Sequence, residues 1–98
     1  MALLPGNLNI KRRYILLENK ISLEELKKKY IELFGEIDFY SLNLVFLELY
    51  NNYFIISVNK KKLYRLIFVL YLLNVRIKKI TKTLKELKHF LNVTKKLL

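Results

Sequence analysis

Residues 42–58 read LNLVFLELYNNYFIISV, and this stretch decides the fold class. Two β-branched and aromatic runs, Leu42–Tyr50 and Tyr53–Val58, flank Asn51-Asn52. Asn tolerates positive φ, so the pair suits a tight turn and the runs read as a hairpin. Both strands are apolar on both faces. Leu42, Leu44, Phe46 and Tyr50 alternate to one side, Val45, Leu47 and Leu49 to the other, and only Asn43 and Glu48 interrupt. A sheet with one wet face alternates apolar with polar residues. This sheet must therefore have its second face covered as well.

Working outward, each flank supplies a helix with a readable start. Upstream, Ser22 and Glu25 form a capping box, and Ile21 and Leu26 are spaced as a hydrophobic staple. Leu23, Leu26, Tyr30 and Leu33 recur at helical spacing, Glu24–Lys28 and Glu25–Lys29 are i,i+4 pairs, and Gly35 is placed as the C′ residue. Before that helix, Tyr14-Ile15-Leu16-Leu17 reads as a strand, preceded by Lys11-Arg12-Arg13 and an irregular arm over 1–11 with a turn at Pro5-Gly6. Downstream, Asn59 caps a helix over 60–73 that is apolar nearly all round past Arg65, with Val58 and Leu63 as its staple. A last strand over 75–82 is basic at Arg76, Lys78, Lys79 and Lys82. Thr83 and Glu86 then open a C-terminal helix over 83–98 with a Leu84, Leu87, Leu91 stripe. The order is β-α-β-β-α-β-α. It predicts a single α+β domain over 1–98: an RNA-recognition-like split β-α-β-β-α-β antiparallel sheet with helices on one face, plus a C-terminal helix.

Composition limits the function classes. The 98 residues are 53% hydrophobic with one Pro and two Gly, which excludes a disordered chain. The longest charge-free stretches, 49–59 and 66–75, fall far short of the roughly 20 residues of a spanning helix, so no membrane is expected. The N-terminus lacks a basic start followed by an apolar run, so a cytoplasmic location is expected. With no Cys, disulfides, thiolate metal sites and a Cys nucleophile are excluded. His89 is the only His and Asp38 the only Asp. Glu24-Glu25 are adjacent and point to different parts of a helix surface. No Gly-rich phosphate loop or nucleophile elbow is present. Neither catalytic residues nor a metal site is expected.

The charge is lopsided. Residues 1–49 hold seven basic and seven acidic side chains, whereas residues 50–98 hold twelve basic ones against Glu86 alone, so the net +11 sits in the second half. Clustered cations point to phosphate. Lys11, Arg12 and Arg13 precede the first strand, where a flexible arm reaches phosphates. Lys60, Lys61 and Lys62 open the second helix against its dipole, which an external anion would relieve. Arg76, Lys78, Lys79, Lys82 and Lys85 add to the RNA-binding set. Lys27-Lys28-Lys29 is read as a solvated face balanced by Glu24, Glu25 and Glu32. Seven Tyr and six Phe offer rings for base stacking, but Tyr53–Val58 lacks the Gly and basic start of the ribonucleoprotein signature. Most rings are read as core or interface, and recognition as one of backbone and shape.

Two short motifs carry a resemblance. Leu4-Pro5-Gly6-Asn7-Leu8, followed by Lys11-Arg12-Arg13-Tyr14-Ile15, is similar to the Leu-Pro-Pro-x-Leu, basic run and Arg-Tyr-Ile of protein component 2 of archaeal ribonuclease P, a family shared with the eukaryotic enzyme. Thr83-Leu84-Lys85 resembles that family's Gly-Thr-Ile-Lys after its last strand, and Ile55-Ile56 leading to Lys60 parallels an apolar pair leading to an Arg. Gly6 stands where a second Pro is usual, Lys82 where a Gly precedes the Thr, and Ser57 where a basic residue is frequent. The resemblance spans nearly the whole chain. It implies a noncatalytic subunit that screens phosphate charge and stabilises the ribonuclease P RNA. That RNA cleaves precursor tRNA at its 5′ end with Mg²⁺. It also implies pairing with protein component 3 and self-association into a heterotetramer. The apolar hairpin face, Leu44, Phe46, Tyr50, Tyr53 and Ile55, is the expected protein interface. Two alternatives remain open at this point: a protein–protein adaptor, and a generic small RNA-binding protein of the same fold.

Overall fold

The computed structural model describes the backbone of residues 11–50 and 53–97 and the side chains of 11–47 and 54–91. The expected arm before Lys11, the Asn51-Asn52 turn, and the side chains of Tyr50 and Tyr53 lie outside the described residues. The fold is mixed α+β. In chain order it comprises β1 (Arg12–Leu17), α1 (Leu23–Phe34), α2 (Glu36–Ser41), β2 (Val45–Tyr50), β3 (Tyr53–Asn59), a 3₁₀ turn (Lys60–Lys62), α3 (Leu63–Leu72), β4 (Ile77–Thr81) and α4 (Leu84–Leu97). The four strands form one antiparallel sheet in the order β2-β3-β1-β4. No helix among the described residues is long and apolar enough to cross a membrane.

Successive strand side chains point to opposite faces, and over β1 and β3 both faces are dry. Ile15 and Leu17 of β1 and Ile56 and Val58 of β3 face one way. They are buried with Leu26 and Tyr30 of α1 and Leu66, Val69 and Leu70 of α3. Leu16 and Ile55 face the other way, beneath Leu87 and Leu91 of α4. The cover that the two-sided hairpin demanded is thus supplied, over β1 and β3, by the chain's own last helix. Ile55 is 1% exposed beneath it and Leu44 packs on the α1/α3 side. Of the expected protein-interface residues with described side chains, only Phe46 remains exposed, beside Val45 and Leu47.

All three expected helix starts form as local chemistry dictates. The Glu25 N–H donates to Ser22 Oγ (3.4 Å), the Lys61 N–H to Asn59 Oδ1 (3.1 Å) and the Glu86 N–H to Thr83 Oγ1 (3.1 Å). The elements between them differ from expectation in several places. Asn59 caps a 3₁₀ turn, and the α-helix proper begins three residues later at Leu63. In α1, Leu23 and Leu33 are exposed while Ile31 and Phe34 join the core, so the buried stripe is rotated from the expected one. The ion pair that forms on α1 is Lys29–Glu32 (3.6 Å), one turn on from the expected Glu25–Lys29. The chain also forms α2 before β2, which shortens the expected strand from Leu42 to Val45. A bulge between Phe46 and Glu48 shifts the pairing with β3, so the continuous alternation expected from Leu42 to Tyr50 breaks there.

Gly35 ends α1 and starts α2 with φ 92° and ψ 161°, a region essentially reserved for glycine rather than the left-handed helical well of an ordinary C′ residue. A Cβ there would meet nothing within 4 Å, so the cost of adding one is backbone strain alone. Gly35→Ala should therefore lower stability by about 1–3 kcal/mol, read as a reduced urea midpoint at unchanged slope.

Candidate nucleic-acid interface

Antiparallel pairing gathers basic residues from three distant segments at one end of the sheet. Arg12 pairs with Asn59 and Arg13 with Val58, so the start of β1 lies beside the end of β3. The Lys60 N–H donates to the Lys11 carbonyl (2.8 Å), which locks the 3₁₀ turn to the residue before β1. On the other side Tyr14 pairs with Thr81, so Lys82 and the Thr83-capped start of α4, with Lys85, reach the same end. Lys11, Lys60, Lys61, Lys82 and Lys85 are all exposed there. Exposed lysines gathered at one end of a sheet make a positive potential that favours polyanions.

Arg12 and Arg13 are not on a flexible arm. Both are in β1 and half-buried. The Arg12 guanidinium donates twice to the Asn43 carbonyl (2.8 and 2.7 Å) and to Ser57 Oγ (2.9 Å), and Arg13 donates to the Arg12 carbonyl (3.0 Å). Asn43 has a φ of 49°, and its carbonyl accepts both arms of this fork. Arg12 therefore ties β1 to the turn before β2, and its charge lies behind the lysines rather than ahead of them. Arg76 and Lys78 are exposed toward the opposite end of the sheet, where the Arg76 N–H donates to Asn19 Oδ1 (3.2 Å). Lys79 lies mid-strand with its ammonium 5.3 Å from the Phe90 ring centroid.

Lys62 is also removed from the free set. Its ammonium pairs with Asp38 Oδ2 (3.2 Å), which the Arg65 guanidinium also contacts, while the Tyr30 hydroxyl donates to Oδ1. Arg65 lies over the Phe34 ring (5.3 Å). One carboxylate, 13% exposed, thus joins α1, α2, the 3₁₀ turn and α3 just behind the lysine rim. Sequence reading missed this group because α2, which carries Asp38, was itself unread. The Tyr30 hydrogen bond, followed by Lys62 and Arg65, holds the Asp38 carboxyl below its ordinary range against the opposing effect of burial. Burial first, and then the carboxylate, push the Tyr30 hydroxyl well above its own.

The sign of the pH effect follows. A carboxyl depressed in the folded state contributes stability that is complete above the unfolded aspartate value of about 3.9 and is lost as pH falls through the folded value. Asp38→Ala leaves the buried Tyr30 hydroxyl without its acceptor and two cations without their counter-charge. Both cations are partly solvated, so the expected cost at pH 7 is about 2 kcal/mol rather than that of a fully buried pair. Urea titrations should show this gap between variant and wild type narrowing as pH falls below about 4.

Among the described residues no three His, Asp or Glu side chains are grouped to hold a metal ion. The shallow surface depressions are lined by α1, such as Glu24, Lys27, Lys28, Ile31 and Glu32, or lie between α3 and β4. No protein-family model and no curated protein matches the chain.

Proposed function

We propose that the chain is a noncatalytic, RNA-binding subunit of ribonuclease P that supports 5′ maturation of precursor tRNA by screening phosphate charge and stabilising the catalytic RNA. The observation that carries this reading is the convergence described above. The two motifs on which the resemblance rests lie at opposite ends of the chain. Yet Lys11–Arg13, the parallel residue Lys60, and Thr83 with Lys85 lie at one end of the sheet. A shared RNA surface is a simple reason for such motifs to coincide. The strand order β2-β3-β1-β4, with a helix following β1 and another following β3, supports the RNA-recognition-like split arrangement within the α+β fold.

Lys11, Lys60, Lys61, Lys82 and Lys85 are the groups that meet phosphates. Arg12, Arg13 and Lys62 set the rim's geometry and add to its field. Cleavage chemistry belongs to the RNA and its Mg²⁺. Protein component 3 is assigned to the edge strand β2, where Val45, Phe46 and Leu47 are exposed and no lysine guards the open backbone. The alternative of a protein–protein adaptor rests on that same edge alone. Isolation of the tagged chain from native extract separates them. Copurification of ribonuclease P RNA with component 3 is the expected result, and a complex of proteins without RNA would overturn it.

A further inference from the structure

The solvent side of α3 is aromatic where an amphipathic helix would be polar. Leu66, Val69 and Leu70 of α3 are fully buried against the sheet. Tyr64, Phe68 and Tyr71 are 83%, 49% and 74% exposed. Their i, i+4, i+7 spacing confines the three rings to a sector of roughly 60°, opposite the buried residues. The single charged side chain of α3, Arg65, is already held by Asp38. The stripe is thus a row of rings with no fixed charge of its own, and rings this exposed give the fold little packing energy.

Cations stand at both ends of the row. Exposed Lys60 and Lys61 lie in the turn that runs directly into α3. Beyond its C-terminal end, exposed Arg76 shares a shallow pocket with Tyr71, Ile67, Val75 and Ile77, with Glu18 the one carboxylate on its wall. Successive rings rise by about 6 Å and then about 4.5 Å along the axis, spans that one phosphodiester step of an unstacked strand can cover. Aromatic faces flanked by cations are the arrangement that binds single-stranded nucleic acid without reading its sequence.

We propose that α3 is a stacking platform for a single-stranded RNA segment, whose bases lie on Tyr64, Phe68 and Tyr71 and whose phosphates run from Lys60 and Lys61 toward Arg76. This rests on the RNA-binding reading above and adds a second mode to it: the lysine rim meets structured RNA by charge, and α3 meets an unpaired segment by its bases.

Fluorescence anisotropy with three labelled probes tests it: an oligoadenylate of about a dozen nucleotides, the abasic oligomer of equal length, and a duplex RNA of equal length. Wild-type protein should bind the oligoadenylate at least about tenfold more tightly than the abasic strand. Tyr64→Ala, Phe68→Ala and Tyr71→Ala together should abolish that preference and leave duplex binding unchanged. The corresponding leucine replacements, which keep apolar surface but remove the rings, should abolish it too. Equal binding of the oligoadenylate and abasic strands by wild type overturns the proposal, as does a leucine variant that keeps the preference. A wild-type dimer that the alanine variant converts to monomer with its base preference intact would make the stripe a self-association face and also overturn it. In each of these cases, duplex binding that depends on Lys11, Lys60 and Lys61 leaves the RNA-binding reading standing. Failure to bind any of the three probes removes that reading and this one together.

Discussion

Simultaneous replacement of Lys11, Lys60 and Lys61 by alanine should weaken binding to ribonuclease P RNA about a hundredfold at about 0.15 M salt. Each lysine that neutralises a phosphate releases about 0.9 of a condensed counterion, worth roughly fivefold in affinity at that salt, and three such contacts multiply. The log–log salt slope should flatten by about 3 in the same variant. All three side chains are exposed, and the bond between Lys60 and Lys11 is a backbone one that alanine preserves. Stability should therefore change by no more than about 0.5 kcal/mol. Removing the same total charge elsewhere, at Lys20, Lys28 and Lys29, is the control. If net charge alone drives binding, the two variants behave alike. If the rim is the site, the control loses about twofold at most, because distant surface charges are screened beyond a length of about 8 Å.

Leu87→Ala should be the most damaging conservative change outside the α1/α3 core, costing about 3 kcal/mol. Leu87 is fully buried on Leu16 and Ile55, with Leu84, Phe90 and Tyr14 packed around it. Truncating it removes the centre of the apolar cluster that seats α4 on β1 and β3. A domain of this size has about 5–15 kcal/mol in total, so the loss is a large fraction of the whole. It need not unfold the sheet, whose other face keeps its own cluster. Hydrogen exchange distinguishes the two outcomes. Local undocking deprotects the α4 amides alone, whereas global destabilisation lowers protection in β1 and β3 as well. Leu72→Ala, at an exposed position on α3, should cost about 0.5 kcal/mol or less.

What the sequence revealed and what it withheld divide along the range of the interactions involved. Ser22, Asn59 and Thr83 were legible as helix starts because a cap is made within two or three residues. The hairpin and the need for a second cover were legible because strand alternation is local too. The identity of that cover was not, since the seating of the Leu84, Leu87, Leu91 stripe on Leu16 and Ile55 joins distant segments. Helix α2 was missed because six residues with one buried side chain, Phe39, carry almost no periodic signal. The groups that bind it in place, Tyr30, Lys62 and Arg65, come from other elements. The same limit misplaced Arg12 and Arg13. Nothing near them in the chain indicates that β1 begins there, because pairing with Asn59 and Val58 decides it. The bulge in β2 is likewise a property of the pair rather than of either strand.

The lopsided charge acquires a location from this. The basic second half and the nominally neutral first half each contribute to one rim: Lys11, with Arg12 and Arg13 behind it, from the first, and Lys60, Lys61, Lys82 and Lys85 from the second. The acids that cancel Lys11–Arg13 on paper lie on α1, α2 and β2 and between elements, with Asp38 occupied by Lys62 and Arg65. A sum over the chain hides this, and the strand register uncovers it.

The central claim is tested most directly by reconstitution. Precursor tRNA is incubated with the cognate ribonuclease P RNA and the remaining protein subunits, with and without this chain, across a Mg²⁺ titration. Addition of the chain is predicted to raise the rate of 5′ cleavage and to lower the Mg²⁺ concentration it requires. The same rate and the same Mg²⁺ requirement in both reactions would contradict the account.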